Sequence, residues 1–349
     1  MYLKNSKIIS VYFIGAVFLI LCVIIGISAG SLSIPLWTTT EILWRSLWNL
    51  DIPHSFNETH TTIILNIRLP RVLLAALVGS SLALAGAAFQ GLLKNPLADP
   101  YTLGVSSGAA LGAVFVLFLG VTLPILGSFT LPIISIVTGF MTLLFLLGFV
   151  RFIEKSITTE TIILAGIIVS SFLGSVISLL IALTGDELRQ IISWLMGSVA
   201  MRGWDYIWLQ FPFFVIGTAL LYANRKELNA LVFGEETAKT LGVDTDKRRL
   251  TILAGASLLT GAAVSVSGTI GFVGLVVPHL VRLLFGPDHH LLLPMSMFAG
   301  GGFLVLTDLA ARTIISPTEL PIGVITAIIG APVFGILLFQ QRRRRMKQS

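Results

Sequence analysis

The feature that most constrains this chain is a series of charge-free apolar stretches, each about as long as a membrane is thick. About 20 apolar residues in a helix are enough to cross the hydrocarbon core of a bilayer. Only 11% of the 349 residues are charged, against about 25% in an ordinary soluble domain. This composition argues against a water-soluble enzyme and predicts an all-α integral membrane protein. The ten transmembrane helices are predicted at 8–29, 72–93, 103–121, 131–150, 161–183, 206–223, 250–267, 269–285, 291–307 and 320–339.

The basic residues are distributed unevenly between the two sides that these spans define. With the N-terminus inside the cell, 17 of the 23 lysines and arginines fall in inner segments, as the positive-inside rule requires. All six tryptophans lie in or beside outer segments, where indole rings favour the interface. We therefore expect a multi-pass protein of the cytoplasmic membrane, in contact with lipid and with both termini cytoplasmic. Because topology accounts for the net charge of +6, we expect no nucleic-acid partner.

Motifs for catalysis, for metals and for nucleotides are missing from the sequence. No G-x-x-x-x-G-K-[ST] motif is present to hold ATP phosphates. The single cysteine, Cys22, can form neither an internal disulfide nor a metal cluster, and His289 and His290 beside Asp288 lack further ligands nearby. We predict no catalytic residue, no metal site and no cofactor, so the chain is not expected to be an enzyme.

Polar residues next to the spans are unusual in two places. Arg68 and Arg71 before the second span, and Arg312 after the ninth, face outside in this topology, against the charge bias. The inner turn KNPLADP at 94–100 contains two prolines, and such breaks at membrane depth occur where backbone is buried or lines a cavity. Both places are candidates for function.

The longest inner segment, 224–249, contains a short amphipathic helix in the sequence GEETAKTLGV. Glu235 and Glu236 precede Lys239 by four and three residues, as in helix-stabilising ion pairs. Gly242 is typical of a helix end. The segment is either a solvated loop helix or a docking element for a cytoplasmic partner.

Four stretches together resemble the FecCD-type permease family of ABC importers, which includes iron-siderophore and vitamin B12 permeases. They are RLPRVLLAALVGSSLALAGAAFQGLLKNPLADPYTLGVSSGAALGA at 68–113, FGEETAKTLGV at 233–243, SGTIGFVGLVVPHLVRLLFGPDHHLLLP at 267–294 and ELPIGVITAIIGAPVFGILL at 319–338. The resemblance extends from about residue 8 to 340. It implies one transmembrane permease domain over 1–349 with a ten-helix type II importer fold, and a cytoplasmic coupling segment at about 224–249. Inverted repeats belong to that fold, and the similar tetrapeptides FQGL at 89–92 and FVGL at 272–275 fit them.

The resemblance also implies partners and residue roles. The expected partners are a cytoplasmic ABC ATPase dimer, an extracellular substrate-binding protein and a second permease subunit, identical or paralogous. Outward arginines meet the binding protein in the family, and the matching residues are Arg68, Arg71 and Arg312. The residues that match the ATPase-coupling helix are Gly234, Glu235, Glu236, Ala238, Leu241 and Gly242. The residues that match the cytoplasmic gate are Asn95, Pro96 and Leu97, with Thr158 and Thr159 as a second gate element.

The resemblance implies a permease that moves a ferric siderophore, with cobalamin and haem as alternatives. The alternative from another class is a secondary transporter driven by an ion gradient. Such proteins carry buried carboxylates near the membrane midplane, whereas the predicted spans contain no Asp or Glu and Asp308 lies at the outer end of one. We also expect Arg68→Glu to weaken docking of the binding protein and to leave ATPase coupling intact.

Overall fold

The computed structural model describes residues 5–30, 32–53, 56–153 and 158–346, without the side chains of 5–7, 338 and 340–346. Within these ranges the chain forms helices and turns and no strand. The α-helices are α1 (Asn5–Ser28), α2 (Leu36–Leu47), α3 (Glu58–Thr62), α4 (Leu69–Leu92), α5 (Val105–Leu119), α6 (Thr130–Ile153), α7 (Thr159–Leu183), α8 (Leu188–Leu195), α9 (Gly203–Ala223), α10 (Arg225–Val232), α11 (Glu235–Thr240), α12 (Thr245–Ser267), α13 (Val273–Phe285), α14 (His289–Thr313) and α15 (Ile322–Met346).

The ten predicted spans are confirmed as helices. They correspond to α1, α4, α5, α6, α7, α9, α12, α13, α14 and α15. In the described part of the chain, seven helical segments are long and apolar enough to cross a membrane. The other three, Val105–Leu119, Val273–Phe285 and Ile322–Leu337, are shorter apolar helices.

Helix α4 is the central helix of the bundle, and glycines let its neighbours approach it closely. A Cβ atom on Gly79 would lie 2.2 Å from the carbonyl oxygen of Gly300 in α14. One on Gly86 would lie 1.8 Å from the carbonyl oxygen of Gly274 in α13. Backbone-to-backbone packing of this kind is how small residues stabilise membrane helices. These positions therefore have no room for any larger residue.

Helices α4 and α14 run antiparallel along their whole length. Arg71 near the start of α4 meets Asp308 near the end of α14, whereas Gly91 near the end of α4 meets His289 at the start of α14. The 24 residues of α4 span about 36 Å. We call the end of the bundle that holds Arg68, Arg71 and Arg312 the arginine end, and the opposite end, where α10 and α11 lie, the α11 end.

The connection between α12 and α13 is irregular backbone inside the bundle. Gly268 and Phe272 have φ values of 71° and 67°, so α13 begins at Val273 rather than at the predicted Thr269. The N–H of Ile270 donates to the Tyr101 hydroxyl at 2.7 Å. Side chains and backbone of other helices thus satisfy polar groups that lipid would leave unpaired.

The two similar tetrapeptides lie in contact. The side-chain amide of Gln90, in FQGL, donates to the carbonyl oxygens of Gly274 and Leu275, in FVGL, at 3.3 and 3.0 Å. The buried amide links α4 to the first turn of α13, and the Gly86–Gly274 approach lies beside it. The residues that suggested a repeat therefore form part of the packing at the centre of the bundle.

Candidate functional site

Arg68 lies in the helical segment Ile63–Arg68 that joins α3 to α4, and its side chain is buried. Its guanidinium donates to the carbonyl oxygens of Ile27 at 2.9 Å and Ser28 at 2.8 Å, and also to that of Leu32. The last carbonyl groups of a helix have no partner within it, and a cation there is favourable. Arg68 therefore caps the C-terminal end of α1 and joins it to the start of α4.

Arg71 binds two carboxylates with one guanidinium. Its Nε and Nη2 donate to Asp308 Oδ1 at 3.0 and 2.9 Å. Its Nη1 and Nη2 donate to Glu319 Oε1 and Oε2 at 2.8 and 3.0 Å. Asp308 is 0% exposed and Glu319 is 43% exposed. The hydrogen bonds from Arg71 hold the pKa of Glu319 below its usual range, so Glu319 is an anion at neutral pH.

The sequence predicted that Arg312 lies after the ninth span, but the residue lies inside α14. Its Nη2 donates to the carbonyl oxygen of Gly26, and its Nε lies 3.5 Å from Asp308 Oδ2. The predicted end of this span, residue 307, is wrong because the helix continues to Thr313. A buried arginine and a buried aspartate one turn apart neutralise each other, so the helix does not end where the charges begin.

The three arginines line one cavity of about 320 Å³ at the arginine end. Their side chains come from separate elements, and the cavity lining also includes Glu319. Arg71 and Arg312 share the two carboxylates of Asp308 and Glu319, whereas Arg68 binds only backbone carbonyl groups, so the three arginines and two acids carry a net charge of about +1. A partly buried surface of this kind favours an anionic partner.

At the α11 end, an ion pair between a buried arginine and a partly exposed glutamate holds α11 against the first turn of α12. Arg249, which is 4% exposed, donates from Nη2 to Glu235 Oε2 at 2.9 Å. Lys239 Nζ lies 3.1 Å from the other oxygen of the same carboxylate. The hydrogen bond from Arg249 is the largest of the contacts that lower the pKa of Glu235. Glu235 therefore forms one ion pair within α11 and a second one that attaches α11 to α12.

The rest of the predicted coupling segment forms a short turn of helix between two glycines. Gly234 and Gly242 have φ values of 121° and 82°, conformations that favour glycine. Ala238 is fully buried against the bundle, whereas Leu241 and the neighbouring Phe233 are exposed. The exposed Glu236 and these apolar side chains give the protruding segment a mixed surface, which is typical of a protein contact.

The predicted gate residues Asn95, Pro96 and Leu97 form a tight turn after α4. The Leu97 N–H donates to Asn95 Oδ1 at 2.9 Å, and the Ala98 N–H donates to the Asn95 carbonyl at 3.0 Å. An asparagine side chain that replaces a backbone acceptor in this way favours a turn. Leu97 is exposed. The turn leads into the 3₁₀ segment Pro100–Leu103.

Thr158 and Thr159 lie at the start of α7. Thr158 is the N-cap and accepts a hydrogen bond from the Thr161 N–H at 3.3 Å. Helix α7 contacts the 3₁₀ segment two turns further on, where a Cβ on Gly166 would lie 2.3 Å from the Thr102 carbonyl oxygen. The second gate element therefore begins a helix that contacts, at Gly166 and Thr102, the segment that follows the first gate element.

Sequence reasoning missed Glu319 and Arg249 and did not recognise the pairing role of Asp308. Asp308 lies four residues before Arg312, a spacing that allows an ion pair on a helix. Glu319 begins the stretch ELPIG, but its partner Arg71 is 248 residues away. Only Asp308 had a local signal that could have revealed its role.

The model of the FecCD transport family matches residues 18–340. An ABC transporter permease protein of Bacillus subtilis is 56% identical over 98% of this chain and 96% of its own length. The cobalamin import system permease protein of Halobacterium salinarum is 42% identical over 89% of this chain and 81% of its own. Permease proteins named for hemin, molybdate and Fe(3+) dicitrate match at 34–37% identity.

A solved structure described as a metal-chelate type ABC transporter, in an inward-facing conformation, has the same fold. It matches with a TM-score of 0.81 and 34% identity, over 95% of this chain and 99% of the solved one. The predicted fold class, ten helices arranged as in an ABC importer permease, is confirmed by this match together with the helices described above.

Proposed function

The chain belongs to the FecCD transport family, and on that premise we propose that it moves a ferric siderophore across the cytoplasmic membrane. It is an ABC importer permease, and the energy for transport comes from ATP hydrolysis by a separate subunit. The observation that carries the proposal is that the two ends of one bundle present different docking chemistry. A cationic cluster lies at the arginine end, and a protruding helix of mixed polarity lies at the α11 end.

The arginine end faces the outside in this proposal and receives the substrate-binding protein. Arg68, Arg71 and Arg312 supply the positive potential, which steers an acidic surface into a defined orientation. The three arginines differ in their contacts, because Arg68 and Arg312 are buried and donate hydrogen bonds to backbone carbonyl oxygens. Arg71, next to the exposed Glu319, is then the arginine whose outer edge a partner's carboxylate can reach.

The α11 end faces the cytoplasm in this proposal and contacts the ATPase dimer. Gly234, Glu235, Glu236, Ala238, Leu241 and Gly242 form the coupling element within the segment at about 224–249. Leu241 and Glu236 supply the contact surface, whereas Ala238 and Glu235 hold the element to the bundle. A rigid attachment of this kind allows nucleotide-driven closure to move α12.

The remaining assignments follow from the same orientation. Residues 1–349 form one transmembrane permease domain with both termini cytoplasmic, and it pairs with a second permease subunit. The turn at Asn95, Pro96 and Leu97 and the α7 start at Thr158 and Thr159 form the cytoplasmic gate. The contact between Gly166 and Thr102 supports this role, since movement of α7 shifts the turn that precedes Pro100–Leu103.

The substrate class rests on chemistry that most of the named relatives share. Cobalamin, hemin and Fe(3+) dicitrate, after which relatives are named, are each a metal ion held in an organic ligand. Charged side chains in the described spans are few, and Arg71, Asp308 and Arg312 among them are paired with one another. Spans with so few charged side chains offer little to bind a free ion, which favours a bulky chelate as the substrate.

Cobalamin is the second candidate, because the Halobacterium permease named for it is 42% identical to this chain. Uptake of labelled ferric siderophores, cobalamin and haem in a strain that lacks the gene separates the candidates. We expect loss of ferric siderophore uptake and its rescue by the wild-type gene. Loss of cobalamin or haem uptake alone would contradict the siderophore proposal and leave the importer assignment in place.

A further inference from the structure

The two carboxylates on Arg71 differ in one respect that bears on docking. Asp308 lies in a span and is 0% exposed, whereas Glu319 lies in the loop between α14 and α15 and is 43% exposed. Both bind the guanidinium through two oxygens at 2.8–3.2 Å. The inner edge of Arg71 is thus held by a buried partner and the outer edge by a partner that water reaches.

The environment of Glu319 makes it exchangeable. Glu319 is 43% exposed, so water solvates its carboxylate when it leaves the guanidinium, and this offsets part of the cost of separating the pair. The cavity beside it is lined by Arg68, Arg71 and Arg312, and the cluster retains one positive charge when both carboxylates are bound. A carboxylate from a partner that replaces Glu319 on Arg71 keeps every hydrogen bond of the guanidinium and leaves Glu319 in water.

We infer that Glu319 is a built-in competitor for the docking site of the substrate-binding protein. Its carboxylate occupies the outer edge of Arg71 in the free transporter, and an acidic side chain of the binding protein displaces it on docking. The inference rests on the proposed function, because it requires that docking occurs at the arginine end. It goes beyond that function by assigning to this chain a residue that weakens docking and thereby favours release.

The size of the effect follows from the strength of the pair. A site that is free only part of the time binds with an apparent Kd equal to its intrinsic Kd divided by the fraction of time that it is free. Because water screens the exposed side of the pair, we expect removal of the competitor to tighten binding by up to about fivefold. Electrostatic attraction also grows when a negative charge is removed, so a matched control is needed.

The test uses the full transporter in nanodiscs and a purified extracellular substrate-binding protein from the same organism, loaded with ferric siderophore. Binding is measured for wild type, Glu319→Gln and Glu319→Asp. The control is Glu41→Gln, which removes one carboxylate from another ion pair, the i,i+4 pair with Arg45 on α2. We expect Glu319→Gln to bind about two- to fivefold more tightly than wild type and Glu319→Asp to lie between them.

The outcomes separate the inference from the function it rests on. Equal or weaker binding by a folded Glu319→Gln transporter, while wild type binds, overturns the competitor role and leaves the proposed docking intact. An equal gain in Glu41→Gln also overturns it, since general charge then explains the effect. Absence of binding by wild type to any binding protein contradicts the proposed docking itself. If Glu319→Gln fails to fold, the Asp variant, which keeps the charge but shortens the reach, decides the same question.

Discussion

Arg249 Nη2 lies 2.9 Å from Glu235 Oε2, and this ion pair joins α11 to the first turn of α12. Arg249 is buried, and Lys239 binds the same carboxylate from within α11. Because α12 packs against α4, α5, α6 and α9, this ion pair gives α11 a direct side-chain connection to a helix at the centre of the bundle. The pair is therefore the structural basis that we propose for coupling.

The first prediction concerns the substitution Arg249→Ala. It leaves Glu235 without its partner in the bundle and loses a charge-assisted hydrogen bond worth about 1.5–3 kcal/mol. We expect a lower melting temperature of the purified transporter. Coupling between distant sites is typically worth about 1–3 kcal/mol, or about five- to 150-fold, so loss of this connection should also reduce uptake at least about fivefold, measured at equal protein levels.

The matched control for that substitution is Lys247→Ala. Lys247 lies two residues away in the same helix, is 84% exposed and pairs with the exposed Asp244. Exposed pairs contribute about 0–1 kcal/mol, so uptake and melting temperature should stay near wild type. Equal effects of both substitutions would show that loss of any basic residue at this helix end is harmful.

The second prediction is a pH dependence of stability that is carried by Glu235. Its pKa in the folded protein lies below the ordinary value of 4.5, chiefly because Arg249 donates a hydrogen bond to it. A lowered acid pKa contributes stability above about pH 4.5, and that contribution is lost as the pH falls through the lowered value. The melting-temperature difference between wild type and Glu235→Gln should therefore shrink below pH 4.5. A difference independent of pH would mean that the carboxylate charge plays no part.

The third prediction tests the packing of α4 against α13. Gly86→Ala places a Cβ about where the Gly274 carbonyl oxygen now lies, at 1.8 Å, and overpacking of this kind costs about 1–3 kcal/mol. We expect much less folded protein in the membrane, measured by size-exclusion chromatography in detergent. Gly148→Ala in α6 meets no atom within 4 Å and should behave like wild type. A normal yield of Gly86→Ala would contradict the described helix approach.

The fourth prediction revises what Arg68→Glu should do. Since Arg68 caps α1 through the carbonyl groups of Ile27 and Ser28, a carboxylate there faces acceptors and has no donor. A hydrogen bond with a charged partner contributes about 1.5–3 kcal/mol, so we expect lower thermal stability together with weaker docking. Arg68→Lys keeps the charge and should lose less stability. Unchanged melting of Arg68→Glu would show that the cap is dispensable.

The sequence predicts the helices well because each span is a local property of about 20 consecutive apolar residues. It fails where charges enter a span. The sequence around Asp308 and Arg312 resembled a loop. Arg71 makes the burial of these two residues possible, but it lies 237 positions from Asp308. It also fails at Gly268–Phe272, where Tyr101 and other distant residues satisfy irregular backbone.

The residues of the candidate sites also divide into those that a local sequence pattern reveals and those whose partners are distant in the sequence. The amphipathic pattern of Glu235, Glu236 and Lys239 locates α11, since those contacts lie within one helix turn. The arginines are recognisable because they oppose the charge bias of the chain. Glu319, which binds Arg71, has no such signal in the sequence. The roles of Glu319 and Arg249 are visible only in the folded bundle, where distant segments meet.

The most direct test of the central claim is transport by the purified complex in proteoliposomes. The measurement is uptake of iron-55 as a ferric siderophore, with ATP on the α11 side and the binding protein on the arginine side. We predict uptake that requires both and persists when ionophores collapse all ion gradients. Uptake that needs neither ATP nor the binding protein, and that stops when the gradients collapse, would contradict the account.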